Sequence, residues 1–373
     1  MPEKARILFL IHSLGGGGSE RIIYLLAANL DSKKYEVHMG LMRSQDETGA
    51  RPMPPSVAVH RMGVTNVRYI FWKLFKLIRE VKPEVIFSGI TYVNFAVLLL
   101  RPFLPRSLRT IVRQENTASA AHKSVVTRFL YRLLYPRADA IICQSEAMAD
   151  DLSENFGIPR NKIRVLANPI YVERINSVSL HEPAGERPLW PRLLAVGRLA
   201  NQKGYDLLLP ALCDIRKEYP SLSLTVLGEG PDLPALLLMV RNLGLEEVVH
   251  FEGHVDHPSL YYDSAALFVL PSRFEGMPNA MLEAATAGLP VVTTPCCGGV
   301  CDLVQGAPGV WVTRDISSIA LRDTILKALA ALKSIQSGPT VNPRFAHQFL
   351  APFELSVAVQ KYESAIDSAL ALG

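Results

Sequence analysis

Short runs of apolar, β-branched residues recur along the 373-residue chain and alternate with segments of helical periodicity. In the first half the runs are ARILFLI (5–11), EVHMGLM (36–42), VAVHRM (57–62), EVIFSGI (84–90), RTIVRQ (109–114), AIICQS (140–145) and KIRVLA (162–167). Strands apolar at consecutive positions are buried on both faces, so strands separated by helices predict a parallel sheet covered on each side. The pattern breaks at VSLHEPAGERPLWP (178–191), which is rich in Pro, Glu and Gly and reads as a linker. It restarts with RLLAVGRL (192–199), SLTVLGEG (223–230), VVHFEGH (248–254), LFVLPS (267–272), PVVTTP (290–295) and GVWVT (309–313). The expected fold class is α/β, with two facing Rossmann-like, doubly wound domains and a ligand cleft between them. The predicted boundaries are 1–175 for the first domain, 176–191 for the linker and 192–354 for the second. A final helical stretch, assigned to 355–373, can pack back on the first domain.

Composition narrows the class. Half the residues are hydrophobic (49%) and a fifth charged (20%), as in a well-packed globular protein long enough for two cores. The longest apolar run, ITYVNFAVLLL (90–100), falls short of the roughly 18 residues of a membrane-spanning helix. Lys4 and Arg6 precede only ILFLI, shorter than the roughly 7–15 residues of a signal-peptide core, so this segment is read as a first strand. The five cysteines are accordingly expected as reduced thiols in a cytoplasmic protein.

Charge is distributed unevenly. Residues 1–170 carry 24 Lys and Arg against 14 Asp and Glu, a net of +10, while residues 171–373 carry 15 against 21, a net of −6. A basic first half favours an anionic partner. NVRYIFWKLFKLIREVK (66–82) and HKSVVTRFLYRLLYPR (122–137) mix aromatics with cations at helical spacing. They fit either ordinary core-facing helices or a face resting on anionic lipid, which would make the protein peripheral on the cytoplasmic membrane face. No nucleic-acid recognition motif accompanies the charge, so nucleic acid is not expected as a partner.

In such sheets the loops after the strands carry the chemistry. SRFEGMPNAMLEAATAGLPVV (272–292) sets Glu275 in a strand-end loop and Glu283 inside the following helix, with Pro278 suited to that helix's first turn. The N–H groups around Gly276, Met277 and Asn279 would then favour negative charge, and a carboxylate among them can accept sugar hydroxyls. AVGRLANQKG places Arg198 just after a strand and Lys203 five residues later, a fork and a point charge suited to phosphate oxygens. In the first domain Gly15 to Gly18 follow the first strand. They do not complete a G-x-G-x-x-G, yet they permit close backbone approach to a ligand.

Taken together, Arg198, Lys203, the Glu-x7-Glu block with Ser272, Gly276, Pro278 and Gly288, and the glycine-rich first loop resemble the retaining family-4 glycosyltransferases of GT-B fold. The resemblance covers nearly the whole chain. It implies transfer of a hexose or N-acetylhexosamine from a nucleotide sugar, a UDP-sugar foremost, to a glycan or lipid-linked acceptor in cell-surface polysaccharide synthesis. It also implies Arg198 and Lys203 on the donor diphosphate, Glu283 on the ribose, and Glu275 with the Gly276, Met277, Pro278 and Asn279 segment on the transferred sugar. Backbone near Val255 would meet the base, and Gly16 and Gly17 would close on the phosphates. The mechanism implied is front-face and metal-independent, with no cofactor. The sequence accordingly shows no D-x-D, and the C-C-x3-C of CCGGVCD (296–302) lacks the paired spacing of a zinc site. Gly298 and Gly299 there are read as approaching the donor phosphates.

The sequence departs from many relatives at the end of the strand RTIVRQ, where a His is common. Here Gln114, Glu115 and Asn116 follow, and His122 comes later. Glu115, Asn116 and His122 are the acceptor-side candidates. The departure keeps open a catalytically weak sugar-nucleotide-binding subunit, and within the enzyme class a GT-B epimerase or phosphorylase is the other alternative.

Overall fold

The computed structural model describes residues 4–15, 17–43, 52–64, 69–122, 124–170, 190–255, 258–296, 301, 303–335 and 342–372. Most of the predicted linker, together with Gly16, Cys297, Gly298 and Gly299, lies outside them. Each of the thirteen apolar runs contains one strand, and every ladder between them is parallel.

The chain divides into two compact units, Met1–Tyr171 with Pro352–Gly373, and Val172–Ala351. In the first, β1 (Ala5–Ile11), β2 (Tyr35–Leu41), β3 (Val57–Arg61), β4 (Val85–Ser88), β5 (Arg109–Arg113), β6 (Ala140–Cys143) and β7 (Ile163–Val165) lie in the order β3-β2-β1-β4-β5-β6-β7. The order reverses direction between β1 and β4, the position where doubly wound sheets open a crevice at the carboxyl ends of the strands. One face is covered by α1 (Gly18–Asn29) and by the C-terminal helix Leu355–Leu370. Alternate strand residues Ile7, Phe9, Phe87, Ile111 and Ile142 meet Val359, Tyr362 and Ile366 of that helix. Its entry is tied down where the Ile170 N–H donates to the Phe353 carbonyl (2.8 Å). The other face carries α2 (Ile70–Val81), α3 (Thr91–Leu100) and α5 (Val125–Leu134), with a single short turn of helix, α4 (Ala118–Ala121), between α3 and α5.

The second unit holds β8 (Arg192–Val196), β9 (Ser223–Leu227), β10 (Val249–Gly253), β11 (Leu267–Leu270), β12 (Val291–Thr293) and β13 (Val310–Val312), in the order β10-β9-β8-β11-β12-β13. Here the reversal falls between β8 and β11. The loops after these two strands are those that carry Arg198 with Lys203, and Glu275. Their approach depends on a glycine. Gly204 has φ +66°, and a Cβ there would lie 2.0 Å from the Pro271 carbonyl oxygen, so only glycine lets the first loop lie against the second.

Unit 1 depends on the helix that arrives from the far end of the sequence. Ile366→Ala, which opens a cavity in a fully buried site, is expected to cost about 2–5 kcal/mol in denaturant unfolding. A loss below about 0.5 kcal/mol would mean the helix is not an integral part of that core.

Candidate active site

The loop after β8 makes a single 3-10 turn at Asn201–Lys203 before α7 (Tyr205–Glu218) begins. That turn brings Lys203 Nζ to 2.6 Å from Glu275 Oε1. The same oxygen accepts from Ser272 Oγ (2.7 Å), and Gln202 Nε2 donates to the Phe274 carbonyl (3.0 Å) and to Glu275 Oε2 (3.4 Å). Glu275 is only 5% exposed, so three donors from two loops replace the water its carboxylate has lost. On sequence alone Lys203 goes to phosphate and Glu275 to sugar; the fold joins the two in one ion pair. Lys203 keeps further N–H donors for a ligand.

Around this pair the backbone is fixed by neighbours that the sequence did not single out. Arg273 donates from both Nη atoms to the two oxygens of Asp206 (2.7 and 2.6 Å), and its N–H donates to the Gln202 carbonyl (2.7 Å). Hydrogen bonding to Arg273 holds the Asp206 carboxyl below its ordinary value of 3.8. Tyr205 donates to the Gly197 carbonyl (3.1 Å), and burial pushes its phenol far up, so it stays neutral. Arg198 stands exposed at the start of this loop, with no ion pair among the described residues.

The loop after β11 differs in detail from expectation. Pro278 is the residue before α10 (Asn279–Thr286), not within its first turn. With φ −79° and ψ 73°, Pro278 centres an inverse γ-turn in which the Asn279 N–H donates to the Met277 carbonyl (2.9 Å). That N–H is therefore engaged within the loop, and the expectation of an unpaired donor at Asn279 is corrected. Met277 and Gly276 are buried, the former at 7% exposure. Glu283 lies one turn inside α10, half-buried, and Tyr262 of α9 (Ser259–Ser264) donates to its Oε2 (3.3 Å). Val255 follows β10 and is half-buried.

In unit 1 the strand-end candidates separate. Gln114, 1% exposed, is an internal strut. Its Nε2 donates to Tyr131 Oη (3.0 Å) and to the Asn116 carbonyl (2.8 Å), and its Oε1 accepts from Tyr135 (2.7 Å). Asn94 donates to Tyr135 (3.1 Å), Ser88 donates to Asn94 (2.6 Å), and Tyr131 meets Thr91 Oγ1 (3.4 Å). The chain ends where Thr91 donates from Oγ1 (3.2 Å) and from its backbone N–H (3.4 Å) to Glu115 Oε2. A series of aligned donors that terminates on a carboxylate polarises along its length and fixes that carboxylate. Burial raises the Glu115 carboxyl above its ordinary value, although the Thr91 donors and Arg113 oppose the rise.

His122 is the residue after α4; its N–H donates to the Ala118 carbonyl (3.0 Å), and its ring lies 5.6 Å from that of Tyr131. Its imidazole is lowered by burial. Gly17 precedes α1, and its N–H donates to Glu20 Oε2 (2.7 Å). Glu20 thus occupies the helix N-terminus where the sequence reading had set a phosphate, and a phosphate there would meet like charge. The reading missed His12 and Tyr92. His12 Nδ1 and the Tyr92 hydroxyl are 2.6 Å apart, His12 directly after β1 and Tyr92 in the first turn of α3, inside the apolar run ITYVNFAVLLL.

The chain matches the family descriptions "Glycosyl transferases group 1" over residues 190–331 and "Glycosyltransferase Family 4" over residues 16–174. It is 30% identical over 300 residues, 76% of this chain and 79% of the relative, to N-acetylgalactosamine-N,N'-diacetylbacillosaminyl-diphospho-undecaprenol 4-alpha-N-acetylgalactosaminyltransferase of Campylobacter jejuni subsp. jejuni. The chain belongs to glycosyltransferase family 4. A second relative, the amylovoran biosynthesis glycosyltransferase AmsD of Erwinia amylovora, is 24% identical over 80% of this chain and 84% of its own. The crystal structure of Anabaena HepE in complex with UDP and glucose superposes with a TM-score of 0.77 at 18% identity, covering 98% of this chain and all of that one (100%). The two-sheet architecture of this family-4 enzyme is that of the GT-B glycosyltransferases, and the protein is a glycosyltransferase.

Because its folded-state pKa is depressed, Asp206 contributes stability above the ordinary aspartate value of 3.8 and loses it as pH falls through the lowered value. Asp206→Asn is therefore expected to cost stability at pH 7 and to narrow its gap from the parent below pH 3.8, measured by urea unfolding at both values. A constant gap would mean the ion pair with Arg273 does not hold this loop.

Proposed function

We propose that this family-4 enzyme transfers a hexose or N-acetylhexosamine from a UDP-sugar, with retention at the anomeric carbon, to a glycan or lipid-linked acceptor in polysaccharide synthesis. The observation that carries the reading is the convergence of Lys203, Glu275 and Ser272 where the strand order of the second sheet reverses, with Arg198 exposed on the same loop. In this reading Arg198 and Lys203 take the donor diphosphate and stabilise the leaving nucleotide. Glu275 positions the transferred sugar with the backbone of Gly276 and Met277, Glu283 receives the ribose hydroxyls, and the backbone at Val255 meets the base. The names of the relatives, one acting on a diphospho-undecaprenol-linked sugar and one in amylovoran synthesis, support the acceptor class, and the UDP bound to HepE supports the nucleotide.

The positive charge that a divalent metal would otherwise supply to the leaving group comes in this reading from Arg198 and Lys203, so transfer is proposed to need no metal or cofactor. In a thermal-shift series of UDP, GDP, ADP and their sugar conjugates, selective stabilisation by a uridine nucleotide, unchanged by EDTA, is the expected result. Glu283→Ala is expected to weaken UDP binding about tenfold or more, the loss of hydrogen bonds to a charged group. Affinity equal to the parent's would remove the ribose assignment.

Membrane contact is the second part of the proposal. Val125 is 81% exposed on α5, Phe129 and Leu133 continue the same stripe, and Arg128 and Arg132 lie on the same helix. Trp72 on α2 (71%) and Phe103 just beyond α3 (76%) extend the apolar surface across helices packed on one face of the sheet. Apolar groups interleaved with arginines suit an anionic bilayer, to which a lipid-linked acceptor would itself belong. No helix among the described residues is long and apolar enough to cross a membrane. Val125→Glu with Phe129→Glu is expected to reduce sedimentation with phosphatidylglycerol vesicles at least threefold while leaving UDP stabilisation intact. Unchanged sedimentation would sink the membrane contact.

A further inference from the structure

The first turn of α3 presents Tyr92 beside the residue that holds Glu115, and we propose that Tyr92 and Glu115 form a subsite for one pyranose ring of the acceptor. The phenol ring would supply the stacking face and the carboxylate a hydroxyl acceptor. That the ring belongs to an acceptor rests on the transferase reading above.

Three features on the same edge of the first sheet carry this. Tyr92 is 39% exposed, yet it is not a loose surface side chain, because its hydroxyl is held 2.6 Å from His12 Nδ1 with the two rings nearly perpendicular (80°). Thr91, its chain neighbour, donates twice to Glu115, so the helical turn that carries the aromatic ring also anchors the carboxylate, which is near enough to raise the phenol. Behind them the buried series Ser88, Asn94, Tyr135, Gln114, Tyr131 and Thr91 keeps the carboxylate from drifting.

The charge around the phenol selects the ligand class. Burial, together with Glu20 and Glu115, pushes the Tyr92 hydroxyl up to about 12, with Arg43 opposing. The phenol is neutral at physiological pH, and the two carboxylates make the spot unfavourable for a phosphate or another anion. A neutral ring with an apolar C–H face and several O–H donors suffers no such repulsion. It can lie on the aromatic face while its hydroxyls donate to Glu115. His12 acts here as a positioning residue, fixing the Tyr92 hydroxyl.

The test is saturation-transfer NMR on the full chain with a panel of octyl hexopyranosides and octyl N-acetylhexosaminides, run beside UDP thermal stabilisation. The parent is expected to saturate the ring protons of at least one glycoside. Tyr92→Ala should lose that signal at least fivefold, and Tyr92→Trp, which keeps an aromatic face, should retain most of it. Glu115→Gln and His12→Ala should weaken it less than Tyr92→Ala. Stabilisation by UDP should be unchanged in every variant, which also certifies their folding. Equal saturation by Tyr92→Ala and the parent overturns the subsite, as does a parent that saturates none of the glycosides. Failure of UDP to stabilise the parent would instead strike the donor reading, and the glycoside signals would still decide the subsite.

Discussion

The ion pair between Lys203 and Glu275 is the constraint on which the second unit's site depends. Its two residues are 72 positions apart and meet because β8 and β11 are neighbours where the sheet reverses direction. An acid this deeply buried is costly unless its oxygens are satisfied, and breaking such a pair by removing one partner leaves an uncompensated charge. Lys203, Ser272 and Gln202 meet that requirement from both loops. Gly204 permits their close approach, and Arg273 locks the pair from behind through Asp206. The result is a preorganised arrangement of charge at the carboxyl edge, which needs little rearrangement when a ligand arrives.

Unit 1 solves a comparable problem with neutral groups. Gln114 and two tyrosines carry polar atoms into the interior, where each hydroxyl and amide finds a partner in a single series that ends on Glu115. Such a series rigidifies a strand end without salt bridges, and it separates two adjacent residues of the same loop. Gln114 is a strut, whereas Glu115, one position later, is half-buried and receives both donors of Thr91.

The elements themselves were legible from local pattern. Strands buried on both faces read as unbroken apolar runs, so thirteen runs marked thirteen strands, and the Glu-x7-Glu block placed Glu275 before a helix and Glu283 within it. The helix boundary was less legible, because a proline can either open a helix or precede it, and the γ-turn at Pro278 depends on a hydrogen bond two residues long. His12 and Tyr92 gave no local signal, the first following a strand and the second lying within an apolar run. Each is an ordinary residue until a partner 80 positions away supplies the other half of the contact.

What the sequence by itself determined was therefore the alternation of strands and helices, the family and the identity of the charged groups at the candidate site, all properties carried by contiguous residues. Tertiary structure alone decided which loops adjoin. It turned Lys203 toward Glu275 and brought the last helix back onto the first sheet. The physical reason is that parallel pairing joins strands through long crossovers, so the order of strands in a sheet, and with it every contact between strand-end loops, is fixed by packing between distant segments rather than by any local preference.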